Sequence, residues 1–334
     1  MVKILHIGKA ENMKQYTPDT SAAKEATVAE MSMGHTAEEY AAAMPDAEVI
    51  VADAIADISG ALIDLLPHLK LIHSEGVAYN RIDTEAASAR QIPVCNCAGM
   101  NASAVAEQTI LLMQGLLKNI LVNDRAVREG RQITVKESYM AEGSLRELAD
   151  CRVGLIGLGD IGKCTATLLA AYGAEVYYYK RNRLEPEDEL KYQAMYLPLD
   201  ELLATCDIIS LHLPVTGETE RMCDREFFEK MKPGAYFVNT SRGELVDDDA
   251  LIQALMSGRL SMAGLDTLDR EPVQKDHPLL SQPAIADRLL FTPHIGGITA
   301  SSFRRGYAMI WENLKRLSDG KPLLRVVNRP KSLF

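Results

Sequence analysis

The chain alternates short, nearly continuous apolar runs with longer segments in which apolar residues recur three or four positions apart. This alternation predicts an α/β protein, in which helices cover both faces of parallel sheets. The runs form an early and a late group, so two sheets are expected. The predicted strands are Val2–Ile7, Ala47–Ala52, Leu69–His73, Ile92–Cys97, Arg152–Ile156, Glu175–Tyr179, Ile208–Leu213, Ala235–Asn239, Met262–Leu265 and Leu289–Thr292.

Two long helices are predicted as well. The apolar residues of Ala104–Val127 share one broad face, which indicates a single helix at a domain junction. A similar stripe predicts a helix over Thr299–Leu317, after the hinge-like Gly296–Gly297. The acidic cluster Glu185–Glu189 is typical of a solvated loop or a helix start. The 334 residues exceed one ordinary domain of ~150 residues, so two domains are expected.

Charge and composition exclude several classes of function. The chain has 36 Lys and Arg against 46 Asp and Glu, a formal charge of −10, which disfavours binding to nucleic acid or to anionic membranes. No apolar stretch reaches the ~18 residues that a membrane span requires, and the N-terminus lacks the pattern of a secretion signal. Six cysteines without a CxxC pair predict reduced, mostly buried thiols, no metal site and a cytoplasmic location.

A glycine-rich turn follows the predicted strand Arg152–Ile156 and leads into a helical segment, Lys163–Tyr172. In this context the pattern GxGxxG indicates a dinucleotide site, because the first glycine allows a tight turn, the second lets the backbone approach a pyrophosphate, and the third allows close packing of helix on strand. The candidate cofactor-binding residues here are Gly157, Gly159, Asp160, Ile161 and Gly162.

Basic residues follow the next strand, where an NAD site usually has an acidic residue for the ribose hydroxyl. Lys180 occupies that position, and Arg181 and Arg183 lie close behind it. Three cations would attract a 2′-phosphate, so NADP is favoured over NAD as the cofactor. The alternative is a solvated basic run that the acidic cluster behind it balances.

Polar residues follow three late strands: Arg242 after Ala235–Asn239, Glu271 after Met262–Leu265, and His294 after Leu289–Thr292. In an open α/β sheet, ligands lie beyond the carboxyl ends of the strands, so these side chains are expected to converge. Taken singly, each has a plainer reading: a surface ion pair for Arg242, a turn at Glu271, and a histidine that satisfies buried backbone.

Taken together, these motifs resemble the D-isomer-specific 2-hydroxyacid dehydrogenase family over nearly the whole chain. The resemblance implies two doubly wound parallel-sheet domains, a Rossmann cofactor domain at 104–299 inserted in a flavodoxin-like substrate domain at 1–103 plus 300–334. It implies reduction of a small 2-keto acid to the D-2-hydroxy acid by NAD(P)H, in a cleft between the domains, and a homodimer formed through the helix after Asn101. The motifs are Gly99–Asn101, Ala104–Glu107, Gly157–Gly162, Leu211–Pro214 with Thr219, Asn239–Gly243, Asp266 with Glu271–Pro272, and Pro293–Gly297.

The family's roles carry over to matching residues. Arg242 would bind the carboxylate and carbonyl of a keto acid through its planar guanidinium. His294 would donate a proton to the carbonyl oxygen, and Glu271 would hold the other ring nitrogen.

Further contacts are implied by the same resemblance. Asp266, His212, Pro214, Thr219 and Thr240 would line the cofactor site. In the substrate domain, the backbone of Glu75, Gly76 and Val77 would meet the substrate carboxylate, with support from Asn101. The carboxylate of Glu75 is awkward beside an anion unless the side chain points away or the substrate carries a compensating cation.

The sequence departs from the family at Lys180, at Leu268, where an aromatic residue is common, and at Gly130–Gln132, where relatives often have tryptophan. An alternative function is a dinucleotide-sensing, corepressor-like interaction protein of the same fold, which turnover of a keto acid would exclude. A formate dehydrogenase-like enzyme is disfavoured, because it pairs its histidine with glutamine rather than with a residue such as Glu271.

Overall fold

The computed structural model describes residues 2–328. They divide into two compact units. One contains the described residues up to Asn101 and from Ile298 onward, and the other is Ala102–Gly297. Each unit has one wholly parallel sheet, which confirms the predicted α/β class with two sheets. Among the described helices, none combines the length and the apolar character needed to cross a bilayer.

The first unit has the strand order β2-β1-β3-β4-β5, which is the flavodoxin-like order 2-1-3-4-5. Its strands β3 and β4 are buried along their whole length, with helices on both faces. The strands are β1 (Lys3–Ile7), β2 (Thr27–Met31), β3 (Val49–Ala52), β4 (Leu71–Ser74) and β5 (Val94–Cys95), and the helices are α1 (Ala10–Tyr16), α2 (Ser21–Glu25), α3 (Ala37–Ala43), α4 (Gly60–Leu65), α5 (Thr84–Ala89) and α14 (Ala300–Ser318).

The second unit has the order β12-β11-β10-β9-β6-β7-β8, a Rossmann sheet with a seventh strand. The strands are β6 (Arg152–Ile156), β7 (Glu175–Tyr179), β8 (Ala194–Tyr196), β9 (Ile208–Leu211), β10 (Ala235–Asn239), β11 (Leu260–Leu265) and β12 (Leu289–Phe291). The helices are α6 (Ala102–Leu117), α7 (Ile120–Arg128), α8 (Gln132–Glu142), α9 (Asp160–Ala171), α10 (Pro186–Tyr192), α11 (Leu199–Thr205), α12 (Arg225–Lys230) and α13 (Asp248–Met256), with 3-10 turns at Leu148–Asp150, Gly243–Leu245, Pro278–Leu280 and Pro283–Arg288.

Two predictions about elements need correction. The single helix expected over Ala104–Val127 is two helices, α6 and α7, because Asn119 takes the left-handed conformation (φ 48°) between them. The strands β2 and β8 were not predicted. Both lie at a sheet edge and are only partly buried, so they lack the continuous apolar run of a central strand.

Candidate active site

Three loops leave the same edge of the second unit's sheet. They follow β10, β11 and β12, which are parallel neighbours. Backbone hydrogen bonds join the loops where the strands end: Asp266 N donates to Asn239 O (2.9 Å), and Thr292 N donates to Leu265 O (3.0 Å). Arg242, Glu271 and His294 therefore follow three adjacent strand ends of one sheet.

The histidine and the glutamate form a direct pair. His294 Nδ1 lies 2.6 Å from Glu271 Oε2, and the two side chains are 43% and 38% exposed. A carboxylate can only accept, so Nδ1 carries a hydrogen and Nε2 is left for another partner. His294 itself takes a left-handed backbone conformation (φ 54°) and donates its N–H to Asp266 O at 2.8 Å.

Asp266 organises the turn that carries His294. Its side chain is buried, and its two carboxylate oxygens accept from Thr292 Oγ1 (2.5 Å), Ile295 N (3.0 Å) and Gly296 N (2.9 Å). These three hydrogen bonds fix the backbone on either side of His294, a positioning role that the sequence did not reveal.

The loop after β10 presents Arg242 to solvent. Asn239 holds the loop with both ends of its amide, since Oδ1 accepts from Ser241 N (2.9 Å) and Nδ2 donates to Arg242 O (2.8 Å). Gly243 allows the loop after β11 to approach, because a Cβ there would lie 2.0 Å from the Leu268 carbonyl carbon. The backbone of the Arg242 loop thus packs directly against the segment that leads to Glu271.

A cavity of ≈ 380 Å³ adjoins the His294–Glu271 pair. Its walls are largely apolar and include Leu268, Val273 and Phe291. The pair therefore lies at the edge of a largely apolar cavity that could accept a small substrate.

The three glycines after β6 have three different surroundings. A Cβ on Gly157 (φ 98°) would lie 2.3 Å from His212 O, and one on Gly162 would lie 2.5 Å from Gly157 O. A Cβ on Gly159 would meet nothing within 4 Å. Helix α9 begins at Asp160 with no side chain capping its N-terminus, so its first N–H groups face this open space. These residues fit a dinucleotide pyrophosphate.

The neighbouring loop after β9 is internally bonded. Burial lowers the pKa of His212 to about 4, so the ring is neutral at pH 7; its Nε2 lies 3.0 Å from Ser210 Oγ, and its buried Nδ1 has no partner among the described residues. Thr219 Oγ1 donates to Pro214 O (2.8 Å) and closes the turn between them.

Thr240 follows β10 instead, and its Oγ1 lies 2.9 Å from Thr109 Oγ1 of α6.

The three basic residues after β7 differ in their ion pairs. Arg183 is bound through two nitrogens to Glu189 (2.8 and 2.9 Å), and this bonding lowers the pKa of the Glu189 carboxyl. The cluster Glu185–Glu189 is thus the start of helix α10, and one of its carboxylates balances Arg183. Arg181 makes an exposed pair with Glu218 (3.0 Å). Lys180 has no ion pair within residues 2–328.

The loop after β4 in the first unit corrects one prediction. The Glu75 side chain is 4% exposed, and its Oε1 accepts from Tyr307 Oη and lies 2.7 Å from His6 Nε2. Its N–H donates to Ala52 O at 2.7 Å. Glu75 therefore points into the first unit, and neither its side chain nor its N–H is available to a substrate.

The rest of that loop keeps free backbone donors. Gly76 N donates to Ser74 Oγ (3.2 Å), and a Cβ on Gly76 would lie 2.7 Å from Ala54 Cβ, so this glycine serves loop packing. Val77 is 39% exposed. The N–H groups of Val77 and Ala78 have no hydrogen-bond partner within residues 2–328.

Comparison with known protein families identifies the family to which this chain belongs. The family model of the D-isomer specific 2-hydroxyacid dehydrogenase NAD binding domain matches residues 110–296, more than half of the chain. The chain belongs to this family. It is therefore an NAD(P)-dependent dehydrogenase that interconverts 2-keto and 2-hydroxy acids.

Relatives of this dehydrogenase agree with that membership. Dehydrogenase efuE of Hormonema carpetanum is 36% identical over 78% of this chain and 63% of its own length. A glyoxylate reductase of Thermofilum pendens is 33% identical over 81% of this chain and 78% of its own. The crystal structure of Rhodotorula graminis D-mandelate dehydrogenase superposes with a TM-score of 0.84, at 26% identity and 98% coverage of both chains. None of these is described as a corepressor, so the comparisons do not support that alternative.

Sequence reasoning about this dehydrogenase missed several residues around the candidate site. Ala78 was left out because only its unpaired N–H marks it. His6 and Tyr307 were left out because they lie far from Glu75 along the chain and in no motif, and no sequence signal would have joined them. Asn101 ends the first unit, and no hydrogen bond of its side chain occurs within residues 2–328.

Proposed function

We propose that this dehydrogenase reduces a small 2-keto acid to the D-2-hydroxy acid and prefers NADPH to NADH. The observation that carries the proposal is the 2.6 Å contact between His294 Nδ1 and Glu271 Oε2, at the strand ends where Arg242 also lies. A glyoxylate reductase among the relatives supports a small substrate.

Each side chain has a separate task in this reaction. The bound nicotinamide supplies the hydride that reduces the carbonyl carbon. Arg242 binds the substrate carboxylate and polarises the carbonyl through directed hydrogen bonds. His294 donates a proton from Nε2 to the carbonyl oxygen, and takes it back in the reverse direction. Glu271 orients the ring and stabilises the charge on it while it holds two hydrogens.

The first unit contributes backbone donors in this proposal. The N–H of Val77, together with that of Ala78, binds the substrate carboxylate, and Gly76 and Asn101 shape the same pocket. This assignment makes the described part of the first unit the substrate domain and Ala102–Gly297 the cofactor domain.

Cofactor binding rests on the glycine turn and on the loops beside it. Gly157, Gly159, Asp160, Ile161 and Gly162 hold the pyrophosphate at the start of α9. The loops that carry His212, Pro214, Thr219, Thr240 and Asp266 flank the nicotinamide. Lys180, Arg181 and Arg183 bind the 2′-phosphate, with the smallest contribution from Arg183 because it is already paired with Glu189.

Two further proposals concern the whole protein. A homodimer is supported by exposed apolar side chains on α6, α7 and α8, among them Val127 and Met140. A cytoplasmic location is supported by the buried cysteines, which form no disulfide with one another: Cys95, Cys97, Cys151, Cys206 and Cys223.

A panel of 2-keto acids assayed with NADH and with NADPH tests the proposed function. We expect turnover of glyoxylate or another small keto acid, with a higher kcat/KM for NADPH. His294→Gln should lower kcat at least about a hundredfold, since general acid catalysis contributes that much, while NADPH still binds in a fluorescence titration. Near-parental turnover by this variant, or no turnover by the parent with any keto acid, would overturn the proposal.

A further inference from the structure

A buried polar cluster in the first unit has no role in the reaction as described so far. It consists of His6, Glu75 and Tyr307, whose exposed fractions are 0%, 4% and 0%. Both His6 Nε2 and Tyr307 Oη meet the same atom, Glu75 Oε1. Three distant segments, β1, the loop after β4 and helix α14, therefore join at one carboxylate oxygen.

Helix α14 lies unusually close to the backbone of two loops. A Cβ on Gly306 would lie 2.8 Å from Met100 Sδ and 3.6 Å from Glu75 O. Cys97 Sγ lies within hydrogen-bond distance of two carbonyl oxygens, Ser74 O (3.4 Å) and Gly306 O (3.5 Å), and Arg305 Nε donates to Met100 O (2.7 Å). The same turn of α14 thus supports both the Glu75 loop and the segment that ends at Asn101.

The cluster gives the Glu75 side chain one favourable position. A buried carboxylate is costly unless donors surround it, and here His6 and Tyr307 supply them. Burial, together with the adjacent Glu75 carboxylate, raises the pKa of Tyr307, so its hydroxyl remains a donor throughout the neutral range. If either donor or the carboxylate itself were removed, the Glu75 side chain would no longer anchor the backbone at this position.

That backbone is the start of the proposed carboxylate-binding loop. Glu75 is two residues from the unpaired N–H of Val77, and Gly76 between them is held by Ser74 Oγ and by Cys97 N, which donates to Gly76 O (2.8 Å). A rotation of the Glu75 peptide would therefore change the direction in which the Val77 N–H points.

We infer that His6 and Tyr307 are positioning residues, which anchor Glu75 and thereby aim the Val77 and Ala78 N–H groups at the substrate carboxylate. This inference rests on the proposed function. It gives the C-terminal helix α14 a part in substrate affinity, although none of its residues needs to touch the substrate.

Tyr307→Phe tests the inference, because it removes only the hydroxyl. We expect KM for the keto acid, and the inhibition constant of the unreactive analogue oxamate, to rise roughly tenfold, the effect of one weakened charge-assisted hydrogen bond. The value of kcat should change less than about threefold and KM for NADPH should not change, because only substrate binding is impaired. The control is Tyr16→Phe, which also removes one hydroxyl from a tyrosine packed beside α14. The Tyr16 ring stacks on Phe303 (5.2 Å between ring centroids) and lies 6.0 Å from the Tyr307 ring, but its hydroxyl makes no hydrogen bond to the cluster.

A second pair of variants covers the case in which Tyr307→Phe does not fold. Glu75→Ala should raise the keto-acid KM in the same way, and Glu75→Gln, which keeps an acceptor oxygen, should recover most of that loss. Parental KM in Tyr307→Phe or in Glu75→Ala, with only a lowered melting temperature, would reduce the cluster to a structural role. A parent enzyme that turns over no keto acid would instead overturn the proposed function.

Discussion

Lys180 is the residue on which cofactor choice turns. Arg183 shares its charge with Glu189, and Arg181 shares its charge with Glu218, whereas Lys180 has no ion pair within the described residues. A 2′-phosphate would therefore gain most from Lys180, and a carboxylate at this position would repel it.

Lys180→Ala should lower the ratio of kcat/KM for NADPH to that for NADH about three- to tenfold, as expected for one partly solvated charge-assisted contact. Arg183→Ala is the matched comparison, and it should change the ratio less because its guanidinium is already occupied. The ratio is measured by initial rates with a saturating keto acid. An equal ratio in Lys180→Ala and the parent would show that the basic run is only a solvated surface.

His73 illustrates how one buried ring makes stability depend on pH. Its Nδ1 donates to Ser74 O (2.8 Å), and its Nε2 accepts from Asn313 Nδ2 (3.1 Å), so the ring is neutral. Burial lowers the pKa of His73 to about 4, against an unfolded value of about 6.5. Between these two values the unfolded chain binds a proton that the folded chain does not, so acid favours unfolding.

We therefore expect the free energy of unfolding of the parent to fall as pH drops from about 6.5 to about 4. In His73→Gln this fall should be smaller by roughly 1–3 kcal/mol. His212, which has a similarly lowered pKa and lies in the other unit, should leave part of the slope in place. Urea titrations at several pH values measure both slopes, and identical slopes would contradict the prediction.

Glu75 shows what sequence reasoning about single residues cannot supply. The sequence pattern correctly predicts that Glu75 lies in the loop after a strand. It also indicates that the Glu75 carboxylate would repel an anionic substrate. The direction of the side chain depends on His6 and Tyr307, which lie 69 and 232 positions away along the chain. These groups come together only in the folded chain, so the residues around Glu75 in the sequence do not show which way its side chain points.

At the scale of elements, the glycines of the turn between β6 and α9 have different roles, some in folding and one in dinucleotide binding. Gly157 and Gly162 are needed by the backbone around them, whereas the space beside Gly159 is open. Gly159→Ala should therefore fold with a melting temperature close to that of the parent but lose dinucleotide affinity, since its methyl group occupies the space for the pyrophosphate.

Gly157→Ala is the contrasting variant. It should be destabilised strongly, because Ala is strained at φ 98° and its Cβ would clash with His212 O. Thermal unfolding and NADPH titration, measured on both variants, separate the two effects. Parental NADPH affinity in Gly159→Ala would mean that the dinucleotide lies elsewhere.

Elements differed in how readily the sequence predicted them. Central strands such as β6 and β10 have the predicted bounds, because burial on both faces requires continuous apolar residues. The edge strands β2 and β8 have one open side, and their residues need not be apolar throughout. The break between α6 and α7 depends on the left-handed conformation of Asn119, which hydrophobic periodicity does not encode.

At the scale of the whole molecule, the exposed apolar side chains are unevenly distributed. Helices α6, α7 and α8 form what we call the α6–α8 surface, defined by Leu111, Ile120, Leu121, Val127, Ile133 and Met140, which are 47–74% exposed. A groove of ≈ 380 Å³ between α7 and α8, lined by Val127, Tyr139 and Met140, adds to it. Apolar side chains clustered in this way are typical of an interface rather than of a free surface.

If a second copy covers the α6–α8 surface, charges placed within it must weaken the dimer. The double variant Val127→Glu/Ile133→Glu should raise the dimer dissociation constant at least about tenfold in sedimentation equilibrium, because like charges within an interface repel one another and lose their hydration. Leu190→Glu is the matched control, since Leu190 is a 79% exposed apolar residue on α10, outside this surface, and its substitution should leave the dimer intact. A parent chain that sediments as a monomer at micromolar concentration, or a double variant as tightly associated as the parent, would refute the assignment of this surface.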